Sequence, residues 1–247
     1  VSKSKKNLAL VVDVETCGKF GASHVYDLGF AVVDLKNDCE VVEAHSLIIP
    51  EVFYGMAREM ETAYYAWKLP QYVAGIEAGT WKVMSFWSAW NLVNNTMRKY
   101  GIRKVYAYNC GFDKGALSQT MQALTAGKWT HFFRKGTEFC DIWHMACQTI
   151  MSQRNFVKFC YRHGFVSDAG NIRTSAEVCY AYMTKNPHFE ESHTGLEDVI
   201  IEAEILAKVM RIRRGAVDEG LTAMPWKIPQ VVRKQMEMET AIPATLF

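Results

Sequence analysis

The sequence predicts an α/β fold built on a central mixed sheet of five strands flanked by helices, and three observations carry that reading. Strand-like apolar runs crowd the N-terminal part, helical periodicity dominates after them, and a later run at Lys104–Tyr108 returns beside the early strands as a parallel crossover.

Each element has a local reason. Asn7-Leu-Ala-Leu-Val-Val-Asp13-Val14 is a short apolar, β-branched run of the kind buried on both faces in mid-sheet, and it puts Asp13 at or near a strand end. Tyr26–Asp34 and Cys39–Ile49 read as two more strands about the polar turn Lys36-Asn37-Asp38, which makes an antiparallel meander. From Glu51 to Gly101 the pattern is helical, with Ser85 as N-cap of a helix over Phe86–Tyr100 whose Phe86, Trp87 and Trp90 serve the core in preference to a nucleic-acid platform. After the strand at Lys104–Tyr108, Asn109-Cys-Gly-Phe-Asp113 opens a helix through Ala123. Thr137–Cys140 forms the fifth strand, and Asp141 caps the helix after it. A turn-rich excursion around Phe165–Ile172 precedes Thr174-Ser-Ala-Glu177, a capping box, and Thr194-Gly-Leu-Glu197 repeats the device before an amphipathic helix reaching about Arg214. Residues 1–214 are expected to form one domain, with 215–247 a polar, proline-punctuated extension packed on it or mobile.

With 49% hydrophobic and 22% charged residues among 247, the chain is too apolar to be disordered. A net charge of +2 means that any phosphate-binding field must be local. Seven cysteines without a CxxC pair, no signal-peptide pattern and no long apolar run predict a reduced, cytoplasmic protein without a membrane partner. The basic opening, Val-Ser-Lys-Ser-Lys-Lys, offers a short phosphate-touching arm.

The chemistry rests on acids. Hydrolysing a phosphodiester needs a nucleophile made from water and neutralisation of charge on the phosphoryl oxygens, which paired divalent cations supply. Such hard cations take carboxylate oxygens. Asp13 and Glu15 alternate in phase on an extended segment, so both face one side and can share metal ions. Asp113 falls at a helix start beyond a strand, Asp198 in the first turns of a capped helix, and His193 on the loop before it, where a near-neutral pKa suits a general base.

Val12-Asp13-Val14-Glu15-Thr16-Cys17-Gly18, Asn109-Cys110-Gly111-Phe112-Asp113 and His193-Thr194-Gly195-Leu196-Glu197-Asp198 resemble, in order, the three motifs of the DEDDh 3′-to-5′ exonucleases. That family includes the proofreading subunit of bacterial replicative polymerase and oligoribonuclease. The resemblance spans about Leu8–Met210 and implies a ribonuclease-H-like fold that releases nucleoside 5′-monophosphates with two Mg²⁺ or Mn²⁺ ions. It implies that Asp13 bridges the ions, Glu15 and Asp198 complete one site, Asp113 holds the other and His193 is the base. The main chain of Thr16, Cys17 and Gly18 would meet the terminal sugar, with Asn109 and Phe112 also against substrate. DNA with a single-stranded end is favoured. Trimming of RNA and a non-catalytic or polymerase-associated partner role are the alternatives.

Some features stand apart from the motifs. Many relatives carry His where Tyr108 stands, and the His-Gly-Ile loop common among them has no counterpart. In its place is the aromatic segment Tyr54–Trp90, where Tyr64, Tyr65, Trp67, Tyr72 and Trp81 serve mostly the core or else stack bases near Arg58, Lys68 and Lys82. Cys140, His144 and Cys147 share a helix face but lack a fourth zinc ligand. Lys208, Arg211, Arg213 and Arg214 end the long helix, where they favour its dipole or touch phosphate. Thr245-Leu246-Phe247 faintly resembles peptides bound by sliding clamps, which would make the tail a contact for a replication partner.

Overall fold

In the computed structural model the described residues are 7–19, 21–61, 63–212 and 217–241. The opening basic arm, Arg213, Arg214 and the terminal Thr245-Leu246-Phe247 lie outside them.

Three antiparallel strands come first: β1 (Leu8–Cys17), β2 (His24–Asp34) and β3 (Glu40–Ile48). The segment that follows holds α1 (Pro50–Phe53), α2 (Ala57–Glu61), a short 3₁₀ turn at Ala66–Lys68, α3 (Leu69–Glu77) and β4 (Lys82–Val83). Then come α4 (Phe86–Tyr100), β5 (Lys104–Ala107), α5 (Cys110–Leu124) and β6 (Glu138–Asp141). The chain continues through α6 (Ile142–Thr149), α7 (Arg154–His163), α8 (Ala176–Thr184), α9 (Gly195–Ile212) and α10 (Lys227–Ala241).

The strands form a mixed sheet in the order β4-β3-β2-β1-β5-β6, with β5 parallel to β1 and β6 parallel to β5. The five expected strands are present. The sixth, β4, is a two-residue strand lying parallel to β3 where the sequence read as helical; α3 ends before Gly79, whose φ of +73° closes the helix.

Burial on both faces of β1 follows from its alternation. Leu10, Val12 and Val14 enter the core beneath α4 and α5, while Ala9 and Val11 enter the core beneath α6, α8 and α9. Asp13 and Glu15 continue the Ala9–Val11 side, so the strand carries them to the edge of the α9-side core. On β2 the same parity places Asp27 and Gly29 against α9, which packs across β1 and β2.

Helix ends explain the rest of the frame. Ser85 caps α4, its Oγ accepting from the Ser88 amide, and Gly101 closes the helix in the left-handed conformation. Asp141 caps α6 as expected, accepting from the Trp143 and His144 amides. At α8 the cap is one residue later than predicted. Ser175 accepts from the Val178 amide, because the Thr174 hydroxyl is engaged with Trp143 Nε1 at 3.0 Å. Thr194 contacts Glu197 through side chains, its hydroxyl donating at 2.8 Å, while its carbonyl accepts from the Asp198 amide.

Residues 217–241 lie over the α6 and α7 side. The Glu219 carbonyl accepts from the Asp141 amide, and Gln230 makes two hydrogen bonds to the backbone of Ile172. Among the described residues no helix is long and apolar enough to cross a membrane.

Candidate functional site

The C-terminal half of β1, the start of α5 and the start of α9 deliver acidic side chains to one region. Asp13, Glu15, His193 and Asp198 line a cleft of about 550 Å³ together with Asn109, Glu191, Glu202, Tyr64 and Tyr65. Asp113 is buried at the edge of this group, its carboxylate close to its own amide and to that of Val14 on β1. Four acids separated by up to most of the chain are thus brought together.

Their electrostatics are those of crowded, desolvated carboxylates. Burial first, then the charges of Glu202, Asp113, Asp198 and Glu15, hold the Asp13 carboxyl well above the usual range. Glu15 is pushed up to about 9 by burial, then by Asp198 and Asp27, with Lys68 opposing. Burial raises Asp113 to about 8, opposed by its own and the Val14 amide dipoles. Asp198 also reaches about 8, by burial and Glu191, with Lys68 and the Ser192 hydroxyl holding it down. Asp13 Oδ2 and Glu202 Oε2 are buried with no hydrogen-bond partner. Donor atoms of Glu15, His193 and Asp198 lie within 4.8 Å of one another, the one such group of potential metal-ligating side chains among the described residues. The Glu15, His193 and Asp198 donors have the spacing for a hard divalent cation, which would relieve the repulsion; Asp13, with its orphaned Oδ2, lines the same cleft but lies outside that group, as does Asp113.

His193 is held by three contacts. Its backbone takes a φ of +50°, its ring stacks on Tyr65 with centroids 4.3 Å apart and planes 18° apart, and its carbonyl accepts from Lys68 Nζ at 3.4 Å. Its Nδ1 stands 3.9 Å from Glu191 Oε2. Burial, then the Lys68 charge, lowers its pKa, which favours the neutral ring.

The other expected contacts are spread around this cleft. Thr16 and Gly18 follow a bulge that breaks the β1–β2 register after Glu15, and Gly18 takes a φ of +93°. The Cys17 side chain is turned into the core, where burial pushes its thiol up to about 11. Asn109 sits in the left-handed conformation at the start of α5, its amide donating to Asp141 Oδ1 at 3.1 Å. Phe112 is exposed on a neighbouring hollow that also touches Asn109 and Trp143. Tyr108 donates to the Thr174 carbonyl at 2.6 Å and lines the cleft.

Within the aromatic segment, Tyr72 is core, Trp81 packs against it, and Tyr64 and Trp67 are exposed. Lys68, expected near phosphate, is instead buried beside the acids. The zinc possibility has no support in the geometry: Cys140 and Cys147 are buried, and His144 Nδ1 pairs with the Gly220 carbonyl at 2.9 Å.

Sequence reasoning did not single out Glu191, Glu202 or Asp27. Glu202 stands four residues after Asp198 and hence on the same face of α9, a spacing that would have pointed to it. Asp27 had no local signal, since its role appears only when β2 meets α9.

No protein-family model matches the sequence, and no curated protein matches it. Among solved structures the chain is similar to exonuclease X in complex with 5′ overhanging duplex DNA, at 15% identity, covering 90% of this chain and 99% of that one, with a TM-score of 0.42.

Proposed function

We propose that this chain is a divalent-metal-dependent 3′-to-5′ exonuclease of the DEDDh type, which releases nucleoside 5′-monophosphates from nucleic acid, with single-stranded DNA ends favoured. One observation carries the reading: Asp13, Glu15 and Asp198 line one cleft with His193, and Asp113 is buried close enough that its charge, like those of Glu15 and Asp198, opposes ionisation of Asp13. Such crowding disfavours the charged forms and has no structural benefit of its own, so a cationic occupant gives it a purpose.

Asp13, Glu15, Asp113 and Asp198 would hold two Mg²⁺ or Mn²⁺ ions. When bound, the ions supply an activated water and charge neutralisation at the phosphoryl oxygens. His193 takes the proton of the attacking water. Its stack on Tyr65 and the Lys68 contact to its carbonyl limit its rotation, so that the ring stays aimed at the cleft. The backbone beyond the bulge at Thr16–Gly18 meets the terminal sugar, and Asn109 and Phe112 bound the space for the last base.

The test is a product ladder. End-labelled single- and double-stranded DNA and RNA are incubated with Mg²⁺, Mn²⁺ or chelator. The expected result is mononucleotides released from the 3′ end, fastest from single-stranded DNA, and nothing in chelator. Internal fragments, or cleavage that persists in chelator, would overturn the proposal.

A further inference from the structure

Away from the carboxylate cleft, the loop between α5 and β6 builds a second feature. From Lys114 to Thr137 the chain contains no acidic residue, while Lys114, Lys128, Arg134 and Lys135 are all basic. These side chains line a hollow of about 630 Å³ with Trp129 and Trp90, and no carboxylate is among its lining residues. A second hollow shares Arg134 and Lys135 and is also lined by Arg98 and Arg103, again without a carboxylate. The result is a continuous basic surface on a chain of net charge +2.

Indole rings stand within this field. Trp129 is 51% exposed and Trp87 40%, and with Trp90 they form a mutually edge-on cluster at centroid distances of 5.7, 5.8 and 6.1 Å. The platform is fixed in place. Trp90 Nε1 donates to the Phe132 carbonyl at 2.7 Å, Phe132 is buried against Phe86, and the Thr125 hydroxyl accepts from the Trp129 amide at 3.1 Å. Exposed large aromatics held by so many anchors are ready to bind without a large ordering cost.

We propose that this groove is a second nucleic-acid site for the body of a single strand, with phosphates against Lys128, Arg134 and Lys135 and bases stacked on Trp129. The chemistry selects the occupant, since phosphates answer the charge and only unstacked bases offer faces to an indole, which a duplex does not. The groove shares no lining residue with the carboxylate cleft. It runs beside α5, whose 15 residues span about 22 Å from the acidic end to the tryptophan end. The further claim that the strand's 3′ end lies in the cleft at the same time rests on the exonuclease reading above.

Binding of labelled single-stranded DNA, single-stranded RNA and duplex DNA to the full chain is measured by fluorescence anisotropy in chelator. Trp129→Ala and the double variant Arg134→Glu/Lys135→Glu are compared with wild type, after melting curves have shown that they fold. Each is expected to bind the preferred single strand about ten-fold more weakly, whereas Trp129→Phe, which keeps a stacking face, stays near wild type. The charge variant should also show a shallower dependence on salt. With metal present, hydrolysis of a dinucleotide should be unchanged in these variants and that of a long strand slowed. Wild-type affinity in both variants, or a wild-type preference for duplex, would overturn the groove. If the wild type cuts nothing, the exonuclease reading fails while anisotropy still decides the groove; if it cuts but the variants bind normally, the groove alone fails.

Discussion

Gly29 and Gly195 meet backbone to backbone: a β-carbon built on Gly29 would stand 2.1 Å from the Gly195 carbonyl carbon. Gly29 is the β2 partner of Asp13, and Asp198 lies in the first turn of α9, so this approach sets how near two distant carboxylates come. Asp27, on the same face of β2, fastens the contact. Its Oδ2 accepts from the Gly195 amide at 3.0 Å and from the Tyr72 hydroxyl at 2.8 Å.

Gly29→Ala should therefore damage both stability and site. The clash is with backbone, which cannot rotate away as a side chain could, so a loss of roughly 3 kcal/mol is expected, at the top of the usual overpacking range. For a chain of this size that lowers Tm by about 6–12 °C. Activity should fall more than the loss of folded protein explains, because α9 carries Asp198. Melting curves and turnover read together decide it, and wild-type values of both would refute the positioning role.

Asp13→Asn separates charge from shape. The amide keeps the volume, removes a carboxyl whose ionisation burial, Glu202, Asp113, Asp198 and Glu15 all oppose, and cannot serve as a bridging carboxylate. Hydrolysis should drop by about a thousand-fold or more, since several kcal/mol of metal-derived stabilisation depends on it. The metal-free variant should nevertheless melt above the metal-free wild type. A variant that turns over normally would remove Asp13 from the site, and one that melts lower would contradict the repulsion.

His193→Ala tests the base. Turnover should fall by about 10²–10⁴ while calorimetric Mn²⁺ binding persists. Because burial and Lys68 both lower the His193 pKa, the wild-type acid limb of kcat should lie below the ordinary histidine value of 6.5. Lys68→Met removes one of those two causes and should move that limb upward. An acid limb that ignores Lys68 would show that another group titrates.

Much of this was legible in the sequence, for reasons that can be named. β1 is apolar on both faces up to Asp13, and its shortness and β-branched residues suit a central strand. Ser85 and Asp141 announced their helices because capping is a local matter of one side chain and the next amides. What stayed hidden depends on contacts between distant segments. Glu202 carries no mark until α9 lies across β1, and Lys68, expected near phosphate, turns out buried beside the acids, its Nζ on the His193 carbonyl. Gly29 carried no mark at all, being one glycine in a strand whose need for close approach arises only from Gly195. The cap at Ser175 was misplaced by one residue because Trp143, thirty-odd positions away, engages Thr174.

The acid cluster also fixes how stability should follow pH. Glu191 is raised to about 7, Asp113 and Asp198 to about 8 and Glu15 to about 9, each chiefly by burial. Raised pKa values mean that the folded chain holds protons the unfolded chain has released. The stabilisation from those protons is complete below the unfolded values, near 4, and is lost as pH climbs through the folded ones. In chelator, Tm should therefore fall between about pH 4 and pH 9, a trend equivalent to several kcal/mol. A divalent cation competes with those protons for the same oxygens, so its effect runs the other way. Mg²⁺ or Mn²⁺ at a hundred times its Kd should add about 2.7 kcal/mol at alkaline pH and progressively less as the pH drops. Melting curves across that range, with and without metal, read both trends. A chelated Tm that rises with pH would deny that these carboxylates repel one another, and a metal increment that does not grow with pH would deny that they are what the cation binds.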